Sequence, residues 1–360
     1  MNDGLEDVIA AETVLSDVDG LAGRLIIRGQ PLEALAGSRF EDVLALLWDG
    51  FFPDLPGDLR GPLAEARATV FKSVRAQLPL LADRPAYDAM RALIATLPDR
   101  SDLETALLLA VGPAVILPAL IRQQRGLAPI APDPSLGHCE DMLQMLTGAR
   151  PAPAAASALD TYLLAVAEHG LNASTFAARV VASTLAGLNS SVLAALGALK
   201  GPLHGGALGP VLDMLDAIGN ADNATAWIEG ELASGRRLMG FGHRIYRVRD
   251  PRADALKTAL RRLSESGTID MSRIGYATAI ETAALAALQR HKPDRILVTN
   301  VDFFSVLLLE ALDFPRDTFT AVFSAGRVGG WIAHAREQLA NGRLIRPKSR
   351  YVGPVPQVAA

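Results

Sequence analysis

The chain has almost no cysteine: Cys139 is the single one in 360 residues. No intramolecular disulfide can form, and no cysteine-built metal cluster is possible. That usage fits a reducing compartment, and a cytoplasmic location is expected. Charge of one sign is also lacking. Lys and Arg number 35 against 39 Asp and Glu, for a net formal charge of −4. Such a balance argues against a nucleic-acid partner or a membrane-surface role. No apolar run is long enough to cross a bilayer. The most apolar stretch, Ala106 to Ile121, falls short of the roughly 20 residues a span needs and carries Pro113 and Pro118. It reads as a pair of buried helices or one kinked helix, with no membrane partner. The acidic start, Met1 to Asp7, lacks a basic region followed by an apolar one, so neither a secretory signal nor a good transit peptide is expected there. There is no G-x-G-x-x-G fingerprint and no H-E-x-x-H zinc spacing, and no bound metal is expected. Regular alternation of strands with helices is absent, which excludes a doubly wound parallel sheet.

What is present is helical periodicity. Half the residues are hydrophobic, enough for a sizeable core, and the length suits two domains or one large domain with a lobe. Short β-like runs, such as Gly23-Arg24-Leu25-Ile26-Ile27-Arg28-Gly29, are confined to about the first 30 residues. Ser38-Arg39-Phe40-Glu41 and Ser101-Asp102-Leu103-Glu104 have the spacing of capping boxes. Phe40, Val43, Leu44 and Leu47 then form one apolar stripe. Further helices are expected at 62–77, 86–96, 139–147, 155–168, 172–197, 208–219, 223–234, 251–266, 276–290, 303–311 and 325–340. Proline-rich stretches at Leu127–Pro134 and Arg150–Pro153 read as surface linkers. The fold class is all-α with a small N-terminal β element.

Three segments in the second half stand apart: Gly201-Pro202-Leu203-His204-Gly205-Gly206, Gly240-Phe241-Gly242-His243-Arg244 and Asn300-Val301-Asp302-Phe303-Phe304. Each sets one ionisable side chain among glycines or in an apolar turn. Two imidazoles and one carboxylate on separate loops are suited to taking a proton from carbon and giving one to oxygen.

In this order the three segments resemble those of the citrate synthase family. Ala10-Ala11-Glu12-Thr13, Asp17-Val18-Asp19-Gly20, Glu168-His169-Gly170-Leu171-Asn172-Ala173-Ser174-Thr175-Phe176, Asp250-Pro251-Arg252, Ser324-Ala325-Gly326-Arg327 and Arg346-Pro347-Lys348-Ser349 extend the likeness over essentially the whole chain. The resemblance implies a two-domain helical homodimer with shared active sites. A large domain would comprise residues 1–204 and 306–360, and a small domain 205–305 would close over a cleft. It implies condensation of acetyl-CoA with oxaloacetate and hydrolysis of the thioester to citrate and coenzyme A. Coenzyme A would enter as a thioester co-substrate, with no tightly bound cofactor. The length matches the family's compact forms, without the N-terminal extension of those regulated by NADH.

The resemblance also implies roles. Asp302 would be the base that takes the thioester's methyl proton. His204 would donate a hydrogen bond to the thioester oxygen, and His243 would protonate the oxaloacetate carbonyl. Arg252, Arg327, Arg346 and His169 would hold oxaloacetate, Arg346 reaching in from the partner subunit. Arginine suits the task because its planar fork matches a carboxylate in two-pronged fashion. Gly240, Phe241 and Gly242 would meet the adenine of coenzyme A and Arg247 its phosphates, with Arg244, Arg249 and Lys348 as weaker candidates. His138, His291 and His334 fall in no motif and read as structural.

Some positions depart from the family pattern. Leu208 and Gly209 stand where an asparagine and an acidic or amide residue are usual. Arg84-Pro85-Ala86-Tyr87 lacks a histidine, Glu168 replaces aspartate, Thr299 replaces proline, and Val306 replaces a small residue. These bear on acyl-CoA preference rather than on reaction type. The alternatives are a 2-methylcitrate synthase using propionyl-CoA or another acyl-CoA, a non-catalytic CoA-binding paralog, and a lyase that cleaves citryl-CoA. A single methylene discriminates by only about 1–3 kcal/mol in an apolar pocket.

Overall fold

The computed structural model describes residues 4–354 apart from 6–7, 206–207, 244 and 268–270. Near the N-terminus, β1 (Ser16–Asp19), β2 (Arg24–Ile27) and β3 (Gln30–Pro31) form an antiparallel sheet in sequence order, with Ser16 opposite Ile27 and Asp19 opposite Arg24. Alternation along β2 turns Leu25 and Ile27 into the core. Everything after the sheet is helical: α1 (Phe40–Trp48), α2 (Arg60–Val74), α3 (Ala86–Ile94), α4 (Leu103–Gln124), α5 (His138–Thr147), α6 (Pro153–Ala167), α7 (Ala173–Ala182), α8 (Leu188–Leu199), α9 (Leu208–Ile218), α10 (Ala224–Ala233), α11 (Pro251–Glu265), α12 (Met271–His291), α13 (Val301–Ala311) and α14 (Phe319–Asn341). The expected all-α class with a small β element is the observed one.

The core is organised around α4 and α14. Helix α4 is packed by α2, α3, α5 and α14; α14 is packed by α4, α6, α7 and α8. Of the two readings for 106–121, a pair of helices or one kinked helix, the structure has a single helix, with Pro113 and Pro118 inside it. Each proline removes a backbone hydrogen bond, but helices on every side hold the rod together. At 22 residues it is longer than the apolar run at 106–121 suggested and, against expectation, long and apolar enough to cross a membrane, yet 89% of its most apolar window is buried inside the protein. It is the core helix of this fold. Helix α14 approaches the end of α6 closely: a Cβ on Gly330 would lie 2.2 Å from the Ala167 carbonyl oxygen. This brings Arg327 beside the loop that follows α6.

Three kinds of local expectation are corrected. The helix expected over 172–197 is two, α7 and α8. Leu185 and Gly187 adopt positive φ between them, and the Leu188 amide donates to the Arg100 carbonyl. Neither expected capping serine is the cap. Helix α1 starts one residue late, because Glu41 turns inward to accept the His138 amide (2.8 Å), leaving Asp42 to accept that of Arg39 (3.2 Å). At α4 the cap is Asp102, which accepts the Thr105 amide at 2.8 Å. Helices α12 and α14 begin earlier than expected, at Met271 and Phe319. The proline-rich stretches at 127–134 and 150–152 lie outside the helices, Pro153 opens α6, and no residue of either stretch is buried.

The placement of the cap is testable. Asp102→Ala should cost about 1 kcal/mol of stability, and Ser101→Ala less than about 0.5 kcal/mol. Denaturant unfolding of the two variants checks this, and the reverse order would reinstate the serine.

Candidate active site

His204 and His169 are positioned by the start of α7. Asn172 caps this helix, its side-chain oxygen accepting the Ser174 and Thr175 amides, each at 3.1 Å. The Ser174 hydroxyl therefore sits at the first turn, 2.8 Å from Asn172 Oδ1 and 2.8 Å from His204 Nε2, and accepts from Trp331 Nε1 at 3.2 Å. His204 stands in the turn after α8, its amide donating to the Gly201 carbonyl at 2.9 Å. His169 lies on the short loop joining α6 to α7, with Nε2 3.3 Å from the Tyr246 hydroxyl.

His243 lies on the loop between α10 and α11. Gly240 and Gly242, at φ near +80°, let this loop lie against residues 298–300. The Gly242 amide donates to Val298 O (2.8 Å), the Asn300 amide to Gly240 O (3.0 Å), and Asn300 Nδ2 to Gly242 O (3.0 Å). His243 Nδ1 accepts the amides of Ile245 (3.0 Å) and Tyr246 (3.1 Å). The neutral ring must then carry its hydrogen on Nε2, as a donor. That atom lies 3.4 Å from a terminal nitrogen of Arg252.

Asp250 ties this loop to Asp302. Its carboxylate caps α11 by accepting the Arg252 amide (3.0 Å) and grips Arg252 through Nε (3.0 Å) and Nη2 (2.8 Å). The same group accepts the Val301 amide at 3.2 Å, at the start of α13. Asp302 follows in that first turn, its amide held by the capping Asn300 at 3.0 Å.

The rings of His169, His243 and Tyr246 meet at centroid separations of 4.9 to 5.6 Å, and the Arg252 guanidinium lies 5.7 Å from the Tyr246 ring. Arg327 projects from α14, donating through Nε to the Val166 carbonyl, with its guanidinium over the Phe323 ring. Tyr162, on α6, is fully buried and its hydroxyl has no hydrogen-bond partner among the described residues. Its phenol feels both Asp302 and Arg327, which push it in opposite directions. The predicted site residues His169, His204, His243, Arg252, Asp302 and Arg327 thus form one electrostatically connected group.

The electrostatics follow from burial among arginines. Desolvation, aided by Arg327, pushes His204 down to about 4; desolvation, aided by Arg252, does the same to His243. His169 is held well below the usual range by burial, then by Arg252 and Arg327. All three imidazoles are neutral at pH 7. Burial raises Asp302 to about 6, with Asp250 adding to the rise and Arg252 opposing it. A carboxylate so placed is ionised at neutral pH yet more basic than an ordinary aspartate. Burial lowers Arg327 to about 10, opposed by Glu168, so it stays a cation.

Other predicted residues are elsewhere or tied up. Arg346 is exposed on the tail after α14, without a hydrogen bond or ion pair to the cluster. Arg247 is exposed, its amide donating to Gly20 O at 2.7 Å. Arg249 pairs with Asp254 and, at 3.8 Å, with Glu281. Lys348 is exposed, and Arg244 lies outside the described residues. Phe241 packs on Phe303, with centroids 5.4 Å apart. Cavities of about 530 and 310 Å³ lie between α6 and α11 and among α11, α12 and α13, away from the histidines. Among the described residues no group of three His, Cys, Asp or Glu is placed to hold a metal ion.

Sequence reasoning missed Tyr162, Tyr246 and the organising role of Asp250. An aspartate before Pro251 is a readable helix-cap signal, but its second job at α13 has no local signature. His334, read as merely structural, belongs to a buried relay reaching the site. It accepts from Arg179 at 3.0 Å and contacts Glu168 Oε1 at 3.1 Å, and that oxygen accepts the Ser16 hydroxyl at 2.8 Å and the Gly170 amide at 2.7 Å.

Comparison with known proteins places this geometry. A family model described as citrate synthase, C-terminal domain, matches residues 4–348. A citrate synthase of Haloferax volcanii is 37% identical over 371 residues, covering 97% of this chain and 95% of the relative. A 2-methylcitrate synthase of Mycobacterium tuberculosis is 38% identical over 368 residues, covering 97% of this chain and 90% of the relative. The solved ternary complex of carboxymethyl coenzyme A and oxaloacetate with the citrate synthase of Thermoplasma acidophilum superposes with a TM-score of 0.85 at 29% identity, covering 100% of this chain and 98% of that one. With its helical fold, its clustered histidines and arginines and this likeness along nearly its whole length, the chain belongs to the citrate synthase family, a family of acyl-transferring enzymes.

Proposed function

We propose that the protein condenses acetyl-CoA with oxaloacetate and hydrolyses the resulting thioester, giving citrate and free coenzyme A. The observation that carries this is the gathering of an elevated carboxylate, Asp302, with neutral imidazoles and two buried arginines. A thioester methyl group is a far weaker acid than any protein base, so the enol must be stabilised as it forms. Asp302 takes the methyl proton while His204 donates a hydrogen bond to the thioester oxygen. The Ser174 hydroxyl donates to Asn172 Oδ1 and lies 2.8 Å from His204 Nε2, which holds the imidazole in place. The enol carbon attacks the oxaloacetate carbonyl, and His243 supplies the Nε2 hydrogen to the developing alkoxide. Water then cleaves the thioester.

In this reading Arg252, Arg327 and His169 hold the oxaloacetate carboxylates, and the partner subunit of a homodimer adds Arg346. The exposure of Arg346 within one chain is consistent with use across a dimer interface. Residues 205–305 form the small domain, carrying α9 to α12 and the start of α13, and the rest forms the large one. Coenzyme A is a co-substrate, met by Gly240, Phe241, Gly242 and Arg247, and no tightly bound cofactor takes part. A cytoplasmic location fits the single buried cysteine. The Thermoplasma complex, which holds a coenzyme A derivative and oxaloacetate together, supports this pairing of substrates. The near-equal likeness to a citrate synthase and a 2-methylcitrate synthase supports a second reading, in which propionyl-CoA is the preferred thioester.

Release of free coenzyme A, dependent on added oxaloacetate, tests both readings when acetyl-CoA and propionyl-CoA are compared; release from neither overturns them. Asp302→Asn should abolish turnover while oxaloacetate affinity, read by calorimetry, stays within about threefold. Because Asp302 is raised to about 6, the active base is lost as pH falls through about 6 rather than through the ordinary aspartate range. A wild-type rate that held down to pH 4.5 would exclude the assignment.

The shared site has its own test. Arg346→Ala and Arg327→Ala should each weaken oxaloacetate binding, by about 2 kcal/mol or more for a buried charge-assisted contact. A verified mixed dimer of the two should regain sites of wild-type affinity. Failure to complement would place Arg346 outside the partner's site.

A further inference from the structure

The β1–β2 turn touches the His243 loop more closely than any side chain would permit. A Cβ on Gly20 would lie 2.2 Å from the Ile245 carbonyl oxygen and 2.7 Å from its carbonyl carbon. The Gly20 carbonyl in turn accepts the Arg247 amide at 2.7 Å. This backbone contact grips residues 245–247, and the amides of Ile245 and Tyr246 are the donors that hold His243 Nδ1. The turn is itself stiffened by Asp19, whose carboxylate accepts the amides of Leu21 (3.0 Å) and Ala22 (2.9 Å).

The other end of β1 reaches the second substrate loop. The Ser16 hydroxyl donates to Glu168 at 2.8 Å and accepts the Gly170 amide at 3.0 Å, either side of His169. A strand of four residues therefore spans from the His169 loop to the His243 loop. At roughly 3.3 Å per residue it is a nearly inextensible strut.

We propose that β1 and its turn, through Gly20, are a positioning element for His243, setting the backbone amides that fix its ring orientation and tautomer. The element touches no reacting atom. It acts by presenting two N–H donors to Nδ1, so that Nε2 carries the hydrogen. The proposal rests on the reading that His243 donates to the oxaloacetate carbonyl.

Three variants test it. Gly20→Ala places a methyl group against the Ile245 carbonyl. Asp19→Ala loosens the same turn without adding an atom there, and keeps the test decisive if the first variant does not fold. His243→Gln tests the underlying reading and assigns the His243 signals among the six histidines. We expect Gly20→Ala to lower kcat about 10- to 100-fold, part of the 10²–10⁴ that a positioned general acid supplies. KM for the acyl-CoA should stay within about twofold, and Asp19→Ala should act in the same direction but less. In protein labelled with ¹⁵N-histidine, the His243 ring should change from a single Nε2–H tautomer to a mixture. Wild-type kcat in both turn variants, with His243→Gln inactive, overturns the positioning role and leaves the proposed reaction intact. A lowered kcat with unchanged His243 ring signals also overturns it, because the turn would then act only on the fold at large. Full turnover in His243→Gln overturns the functional reading itself.

Discussion

One buried carboxylate holds the site together. Asp250 caps α11, grips Arg252 through two nitrogens and accepts the Val301 amide at the head of α13. Three separate pieces of chain, the His243 loop, the start of α11 and the turn bearing Asp302, are thereby set in one frame. Burying an aspartate is costly unless its oxygens are satisfied. Here each is, and Arg252 holds the acid below the ordinary range despite its burial. Removing this group would leave a buried guanidinium without a counter-charge, a far larger loss than an exposed ion pair represents.

Around that frame the charges are graded. Burial and the two arginines keep the imidazoles neutral, while burial alone accounts for most of the elevation of Asp302. The same low-dielectric setting thus produces neutral donors and a more basic acceptor side by side. Glu168 restrains Arg327 from losing its charge. Behind Glu168 runs a buried relay through His334, Arg179 and Glu337 to the amide of Val14. A site that needs both cations and neutral histidines is held by carboxylates placed behind it.

The fold class and most helices were legible because apolar periodicity survives any tertiary arrangement. The stripe of Phe40, Val43, Leu44 and Leu47 is fully buried as its spacing implies. Errors arose where tertiary packing overrode a local signal. Pro113 and Pro118 left open either a break or a kinked single helix, and neighbours on all sides keep α4 continuous. Between α7 and α8 the chain reads as continuous helix; the loop at Asp99 and Arg100 binds the break and stabilises it.

The residue types of the site, two glycine-set histidines, an aspartate after a capping asparagine and several arginines, were determined by the sequence alone, since each carries a local signature. Their assembly was decided only by the tertiary structure. The neutrality of the histidines, the elevation of Asp302, the burial of the Tyr162 hydroxyl and the contact of Gly20 with Ile245 all depend on groups far apart in the chain. Desolvation and close backbone approach are properties of packing, and no spacing of letters encodes how deeply a side chain is buried.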